Sequence, residues 1–229
     1  MSAGDTTFQR ARRPEHKEQR RQAILEAAAR LAGRQGVRRV SLTDIADQVG
    51  IHKSALLRYF ETREEIFLEL TAGSWREWAA AVRVELGAPA AAPGAAGAAG
   101  VVADVMARSF ADRPLLCDLI PHTALNLERN VSVDAVRRYK LTSLGAIGEV
   151  TDAVHGVLPH LTVDECGEFV RTLASLAGAL WQIANPPPPL AELYRSDPAF
   201  ASACVDLGPH LQRTAAVVLA GLVPSRTPD

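Results

Sequence analysis

Cysteine and aromatic residues are scarce in this sequence. Its 229 residues include three cysteines, and aromatic side chains make up 5% of the chain. Cys117, Cys166 and Cys204 lie far apart and form no Cys-x-x-Cys pair. This spacing indicates reduced, buried thiols rather than a disulfide framework or a redox motif. We expect neither a metal ion nor a cofactor.

Signatures of catalysis and of membrane insertion are missing as well. The sequence has no His-Glu-x-x-His, no glycine-rich phosphate loop after a strand and no Gly-x-Ser-x-Gly, so we do not expect an enzyme. The first residues show no apolar core of a signal peptide, and no apolar run reaches the roughly 20 residues of a membrane span. We therefore expect a cytoplasmic protein with no membrane partner.

The small net charge of −1 hides an uneven distribution. Residues 1–63 hold thirteen Lys and Arg against seven Asp and Glu, a net charge of +6, which leaves −7 for residues 64–229. A basic head on an acidic body is typical of a chain in which one part meets a polyanion such as DNA.

Apolar residues recur at helical spacing over nearly the whole chain, and no run shows the two-residue alternation of a strand. The sequence therefore predicts an all-α protein of nine or ten helices. Residues 87–100 are all Gly, Ala or Pro and predict a flexible connection, whereas Pro186–Pro189 predicts an extended turn. The predicted helices cover residues 14–35, 41–49, 52–59, 62–86, 101–111, 115–128, 133–158, 162–184, 199–207 and 209–222.

Two short predicted helices are separated by a tight turn that contains Gly50. Ser41 begins the first with a capping pattern, since Asp44 follows three residues later. The second, from His52 to Phe60, leaves its polar side chains free when its apolar ones turn to a core. Helices of this size and spacing favour a helix-turn-helix, whose second helix enters the major groove of DNA.

The sequence of this segment resembles a known DNA-binding motif. Residues 41–60 read SLTDIADQVGIHKSALLRYF and are followed by ETREEIF. Together with the Ile-Leu-x-Ala-Ala pattern of the preceding helix, this run is similar to the DNA-binding domain of the tetracycline-repressor (TetR-type) family of bacterial regulators. We therefore expect a disordered basic arm over residues 1–17, a three-helix DNA-binding domain over 18–78 and a larger helical domain over 79–229.

The resemblance implies a homodimer in which each subunit places one recognition helix in the major groove of a palindromic, double-stranded operator. It also implies a C-terminal domain that dimerises and binds a small apolar or amphipathic effector. Binding of that effector is expected to release a repressor from DNA. The alternative is a DNA-binding regulator without a small ligand, controlled by its own concentration or by a protein partner.

The resemblance also assigns side chains to the DNA contact. Lys53, Ser54 and Ala55 lie where family members read bases, and Thr43 lies where a phosphate is contacted. Cations in and beside the second helix add donors for phosphates or guanine. The predicted DNA-binding residues are Arg38, Thr43, His52, Lys53, Ser54, Ala55, Arg58, Tyr59 and Arg63.

Four of these positions carry alternatives. Tyr59 and Arg63 match an aromatic residue and a cation that clamp the DNA backbone in the family, but Tyr59 could instead be packed, and the exposed cations could be merely solvated. Leu57 stands where the family usually has a tyrosine, which implies one phosphate contact fewer. His52 stands where a small capping residue is common, so it either caps the helix poorly or touches DNA.

Candidate ligand contacts are polar side chains on otherwise apolar helices of the C-terminal domain. His122 and Asn126 are four residues apart and are expected to share one helix face. For each candidate, the alternative is a satisfied core residue or a surface residue. The candidates are Cys117, His122, Asn126, Tyr139, Thr142, Trp181 and Gln182.

The helices predicted at 162–184 and 209–222 combine small and branched apolar residues, which let helices approach closely. We expect them to form a four-helix interface with their symmetry mates. The alternative is that they belong to the core of one subunit. The predicted interface residues are Leu173, Ala177, Leu180, Leu211, Ala215, Val218 and Leu222.

Overall fold

The structure is a computed structural model that describes the backbone of residues 5–88 and 95–222 and the side chains of residues 16–88, 97–200 and 203–222. Ten α-helices and no strand occur in these ranges, which confirms the all-α prediction. None of the helices described there is both long and apolar enough to cross a membrane. The helices are α1 (Asp5–Gln35), α2 (Leu42–Val49), α3 (Lys53–Leu56), α4 (Arg63–Gly87), α5 (Ala95–Ala111), α6 (Pro114–His122), α7 (Val133–Val157), α8 (Val163–Ala184), α9 (Pro188–Ser196) and α10 (Leu207–Leu222).

The chain divides into two compact units. The first ends at Leu70 and also takes in Thr123–Arg137, whereas the second holds Thr71–His122 and the chain from Arg138 onward. The boundary therefore falls earlier than the expected residue 78 and lies inside α4. Because α4 runs through it as one continuous helix, the sequence carries no Gly or Pro signal at this point.

A small apolar core holds the first unit together. The helical spacing of apolar residues in α1 turns Ile24 and Ala28 inward, where both are buried. Ile45 from α2, Leu56 from α3 and Phe67 from α4 are buried as well. Burying one such large apolar side chain stabilises the fold by about 1.5–3 kcal/mol. Tertiary packing, rather than the propensity of such short helices, therefore holds α2 and α3 in place.

The second unit is a helical bundle in which α5 and α8 each contact both α6 and α10. Trp78 and Phe110 stack with ring centroids 4.9 Å apart, and Phe169 and Leu211 are also completely buried. Helix α8 lies close to α6 at Gly178, where an added Cβ would come within 3.0 Å of side-chain carbons of α6. The small residues of α8 therefore serve packing within one subunit.

Two segments that were expected to be irregular are helical. Residues 5–17, expected in a disordered arm, lie in α1, and residues 95–100 of the expected flexible connection lie in α5. Alanine is the best helix former, and an internal glycine destabilises a helix by only ~1 kcal/mol, so an Ala-rich stretch tolerates two glycines. Residues 1–4 of the arm and 89–94 of the connection lie outside the described residues.

The chain between α8 and α10 also differs from the prediction. The expected extended turn and the helix at 199–207 are wrong: α9 follows the first prolines, and a 3-10 turn covers Pro198–Ala203. Proline fits the first turn of a helix, because its missing N–H would have no acceptor there. Pro188 and Pro189 accordingly begin α9 rather than preventing it.

The helix predicted at 115–128 ends as an α-helix at His122. Thr123–Leu127 form a π-helical turn, in which the Glu128 N–H donates to the Thr123 carbonyl oxygen at 3.1 Å. Pro121 lies inside α6, and its missing N–H and its ring weaken the regular ladder beside this point. His122 is buried and Asn126 is exposed, so the expectation that they share a face is wrong.

Candidate functional site

The helix-turn-helix begins with a reciprocal cap on α2. Ser41 Oγ accepts from the Asp44 N–H at 3.2 Å, and the Ser41 N–H donates to the Asp44 carboxylate at 2.8 Å. Hydrogen bonds from the Ser41 backbone and then from its side chain lower the pKa of Asp44. The cap confirms the predicted helix start, and Thr43 is exposed in the first turn.

Gly50 makes the tight turn after α2. Its φ of 74° lies in the left-handed region, which glycine adopts without steric penalty. The Gly50 N–H donates to the Asp47 carbonyl oxygen at 3.1 Å, and the Ile51 N–H donates to the Ala46 carbonyl oxygen at 3.0 Å. These bonds satisfy the last carbonyls of α2 and lead the chain directly into α3.

Helix α3 is shorter than predicted, and the chain continues past it in turns. The Tyr59 N–H still donates to the Leu56 carbonyl oxygen at 2.9 Å. His52 begins the helix: its Nδ1 accepts from the Ser54 N–H at 3.3 Å and lies 2.8 Å from Ser54 Oγ. The imidazole therefore takes the place of the small capping residue that the resemblance led us to expect.

The side chains around α3 divide into an inner and an outer set. Leu56 and Phe60 are buried and anchor the segment on the core. Ala55 and Tyr59 are half-buried, so Tyr59 is partly packed, whereas the apolar Leu57 is 43% exposed. The exposed members of the predicted DNA-binding set are Arg38, Thr43, His52, Lys53, Ser54 and Arg58.

Arg63, the last member of that set, is held by the chain's own carbonyl groups. Its Nε donates to the Val40 carbonyl oxygen and its Nη2 to the Val37 carbonyl oxygen. The guanidinium also lies over the Phe67 ring, 4.5 Å from its centroid, and pairs with Glu64 at 3.2 Å. Its side chain is only 18% exposed, so Arg63 ties the start of α4 to the segment that precedes α2.

Arg21 of α1 makes a second internal tie that the sequence did not single out. Its Nη1 donates to the Tyr59 carbonyl oxygen at 2.6 Å, and its guanidinium lies 4.2 Å from the centroid of the Phe60 ring. It also forms an ion pair with Glu69 of α4, where burial raises the pKa of the Glu69 carboxyl although Arg21 opposes the shift. A cation three residues before the buried Ile24 was the available signal.

Three of the predicted ligand contacts lie at or beside Asp118 of α6. Gln182 Nε2 donates to Asp118 Oδ1 at 2.8 Å, and His122 Nε2 lies 3.8 Å from the same oxygen. Cys117 is adjacent in sequence; its Sγ donates to the Phe110 carbonyl oxygen at 3.3 Å, and burial raises the pKa of its thiol to about 12. The sequence reasoning missed Asp118, although its i, i+4 spacing from His122 indicated the pair.

The other predicted ligand contacts lie elsewhere. Asn126 is exposed in the first unit, and Tyr139 is buried on α7. Thr142 Oγ1 donates to the Arg138 carbonyl oxygen of its own helix at 3.0 Å, and Trp181 is half-buried on α8. Within the described residues, no group of three or more His, Cys, Asp or Glu side chains is arranged to hold a metal ion.

An aromatic cluster lies in the core of the second unit. Trp78 Nε1 donates to Ser109 Oγ at 2.9 Å, and Ser109 Oγ donates to the Met106 carbonyl oxygen at 2.7 Å. Trp75 meets Trp78 edge-on, with ring centroids 5.3 Å apart. Among the described residues, the buried indole N–H of Trp75 has no hydrogen-bond acceptor.

Two family models match this chain. One, described as "Bacterial regulatory proteins, tetR family", matches residues 24–70, and the other, described as "Tetracyclin repressor-like, C-terminal domain", matches residues 72–226. The chain belongs to the TetR family. It is therefore a DNA-binding transcription regulator by family, as the resemblance of residues 41–60 led us to expect, and the two matched segments meet close to the boundary of the two structural units.

Solved structures of TetR-family proteins share the fold. A TetR transcriptional regulator from Rhodococcus sp. RHA1 is 17% identical with a TM-score of 0.53, covering 90% of this chain and 98% of its own. The fatty acid degradation regulator FadR from Bacillus halodurans is 12% identical with a TM-score of 0.55, covering 88% and 95%. Thermus thermophilus FadR, a repressor solved in complex with lauroyl-CoA, is 18% identical with a TM-score of 0.53, covering 91% and 98%. No curated protein sequence matches the chain.

The residues predicted for the dimer interface of this TetR-family regulator divide between core and surface. Leu180, Val218 and Leu222 remain partly exposed. The others pack inside the subunit, so their assignment to direct contact with a partner is corrected in favour of the intrasubunit alternative. The residues with 0% exposure within a single chain are Leu173, Ala177, Leu211 and Ala215.

Helices α8 and α10 of the regulator also carry apolar side chains that face outward. On α8, Leu176 and Leu180 are half-buried and Ile183 is 49% exposed, and this spacing places the three on one stripe. On α10, Val217 is 71% exposed and Val218 is half-buried. We call these five residues the outer α8/α10 face.

Proposed function

We propose that this TetR-family chain is a repressor that reads a palindromic operator as a homodimer and is released by a small apolar or amphipathic effector. The exposed polar set on and beside α3 supports the DNA contact: Lys53, Ser54 and Arg58 point outward while Leu56 and Phe60 anchor the segment. Lys and Arg side chains donate to guanine O6 and N7 or to phosphates, and a major groove about 12 Å wide admits a helix.

The outer α8/α10 face supports the homodimer. A contiguous apolar surface of this kind is typical of a subunit interface, and a two-fold dimer buries the same patch of both copies. Leu180, Val218 and Leu222 are the members of the predicted set that stay in the proposed interface. A dimer presents two α3 helices to half-sites about 34–36 Å apart, one turn of DNA.

Two features of the second unit support a small effector. The Asp118, His122 and Gln182 group is a local polar cluster beside apolar core, the composition of a small-molecule site. The buried Trp75 N–H offers a donor to an acceptor on a bound molecule. Because Thermus thermophilus FadR is solved with lauroyl-CoA, a fatty acyl thioester is the first effector to test.

Release by an effector has a thermodynamic requirement. The effector must bind the conformation that cannot hold DNA better than the one that can, and a complete switch needs a preference of about 10⁴-fold. We place this switch in the cytoplasm, where the chromosome of a bacterial cell lies.

Selection from random duplex DNA tests the operator proposal. The full-length protein is expected to enrich a palindrome, and Lys53→Ala is expected to weaken binding to it by about 1–3 kcal/mol and to relax base preference. Arg30→Ala is the matched control, because Arg30 pairs with Glu26 on α1 at 3.8 Å and is expected to leave affinity unchanged. Enrichment of no palindrome, or a Lys53→Ala variant with unchanged affinity and preference, contradicts the proposal.

Thermal unfolding with lauroyl-CoA and with lauric acid tests the effector. A ligand at 100 times its Kd stabilises the native state by about 2.7 kcal/mol, so the Tm rises, and the operator complex is expected to dissociate. Trp75→Phe keeps an aromatic ring but removes the N–H, and is expected to weaken binding about tenfold. If neither molecule raises the Tm or dissociates the complex, regulation by protein level or by a protein partner becomes the better hypothesis.

A further inference from the structure

A basic groove lies between the N-terminal half of α1 and the end of the helix-turn-helix. It has a volume of about 650 Å³, and both of its walls belong to the first unit. We define the basic groove by the residues that give it its chemistry, which are His16, Lys17, Arg20, Arg58 and Tyr59. No carboxylate that the structure describes lines it.

The cations of the basic groove are not neutralised within the described part of the chain. Lys17, Arg20 and Arg58 are exposed, and none of them makes an ion pair with any side chain that the structure describes. Arg30 and Arg195, by contrast, are paired with Glu26 and Glu192 of their own helices. Three like charges facing one groove repel each other, and an anion in the groove would relieve this repulsion.

The two walls of the groove are tied together. Arg21 follows Arg20 directly, and it donates to the carbonyl oxygen of Tyr59 at 2.6 Å while its guanidinium lies over the Phe60 ring. Arg58 belongs both to the groove and to the exposed polar set beside α3. The groove is therefore preorganised and continuous with the surface that we propose to face DNA.

We propose that the basic groove holds a backbone phosphate of DNA beside the major groove that α3 enters. A phosphodiester carries one negative charge and accepts hydrogen bonds from a lysine, an arginine fork and a tyrosine hydroxyl. This site makes α1 a second point of attachment, and the contact is independent of base sequence. The inference rests on the proposed DNA-binding function and extends it to a helix outside the helix-turn-helix.

Binding of the full-length protein to a duplex of arbitrary sequence, measured between about 50 and about 200 mM salt, tests the groove. Lys17→Ala combined with Arg20→Ala is expected to weaken binding about tenfold at low salt. It is also expected to flatten the slope of log K against log salt by about 0.9 for each phosphate that is no longer neutralised, about 2 for a dimer. Arg30→Ala combined with Arg195→Ala removes the same charge outside the groove and is expected to change neither value.

The outcomes separate this inference from the proposed function. If the parent protein binds no duplex at all, DNA binding itself fails. If the parent binds and the groove variant keeps its affinity and its salt slope, the groove is not a phosphate site while the proposed function stands. An equal effect of the control pair shows a general charge effect and also overturns the inference. Lys17→Gln combined with Arg20→Gln, which keeps long helix-forming side chains, is expected to reproduce the alanine result with an unchanged Tm.

Discussion

Replacing Arg63 by alanine is expected to destabilise the DNA-binding unit rather than merely to remove a cation. The guanidinium donates to the carbonyl oxygens of Val37 and Val40, on the segment that leads into α2. It also covers the Phe67 ring. Alanine takes both donors away from a part-buried place, so water must enter or the segment must move.

The magnitude follows from the contacts. Each hydrogen bond from a charged donor contributes about 1–1.5 kcal/mol net, and the contact with the ring adds about 0.5–1 kcal/mol. The ion pair with Glu64 is near the surface and adds little. We expect a destabilisation of about 3 kcal/mol, which corresponds to a Tm lower by about 6–12 °C for a chain of this size.

Thermal unfolding followed by circular dichroism measures the effect. Arg63→Lys keeps the charge but cannot fork to two carbonyl groups, and we expect it to recover less than half of the lost stability. Arg39→Ala removes an exposed arginine next to the same segment and is expected to leave the Tm unchanged. A Tm of Arg63→Ala within about 2 °C of the parent, or full recovery by lysine, refutes the reasoning.

Three further predictions concern single residues. Ser41→Ala removes the cap of α2 and is expected to lower stability by about 1 kcal/mol, measured by urea unfolding; an unchanged midpoint contradicts the cap. Gly178→Ala is expected to destabilise by about 1–3 kcal/mol because its Cβ meets α6 at 3.0 Å, whereas Gly145→Ala, with nothing within 4 Å, stabilises by about 0.5–1 kcal/mol; the same sign for both contradicts the packing argument. At pH 8 an aromatic disulfide reagent is expected to react fast with the exposed Cys204 and slowly with Cys117, whose pKa burial raises to about 12; equal rates contradict this.

Helix starts could be predicted from the sequence because a cap is a local interaction. Ser41 with Asp44, and Thr162 with Glu165, form the reciprocal caps that their three-residue spacing indicated. The turn at Gly50 was equally readable, since a left-handed residue favours glycine whatever surrounds it. The prolines at the start of α9 show the limit, because the same residues suit an extended turn and a first helical turn.

Pairings between distant residues could not be predicted. Arg21 contacts Tyr59 and Phe60, and Gln182 contacts Asp118 at 64 residues' separation. No periodicity within one helix reports which other helix lies opposite. For the same reason the small residues of α8 indicated a close approach but not the neighbour, which is α6 of the same chain.

The sequence by itself determined the helical class, the caps, the basic head with its acidic body and the motif over residues 41–60 that led to the TetR family. Each of these depends on residues within a few turns of one another or on composition. The tertiary structure decided which side chains are inside: Leu173 and Leu211 in the core, Arg63 on carbonyl groups, and Lys17 and Arg20 around one groove with Arg58. Burial and unpaired charge are properties of what lies opposite a residue, and only the folded chain brings those partners together.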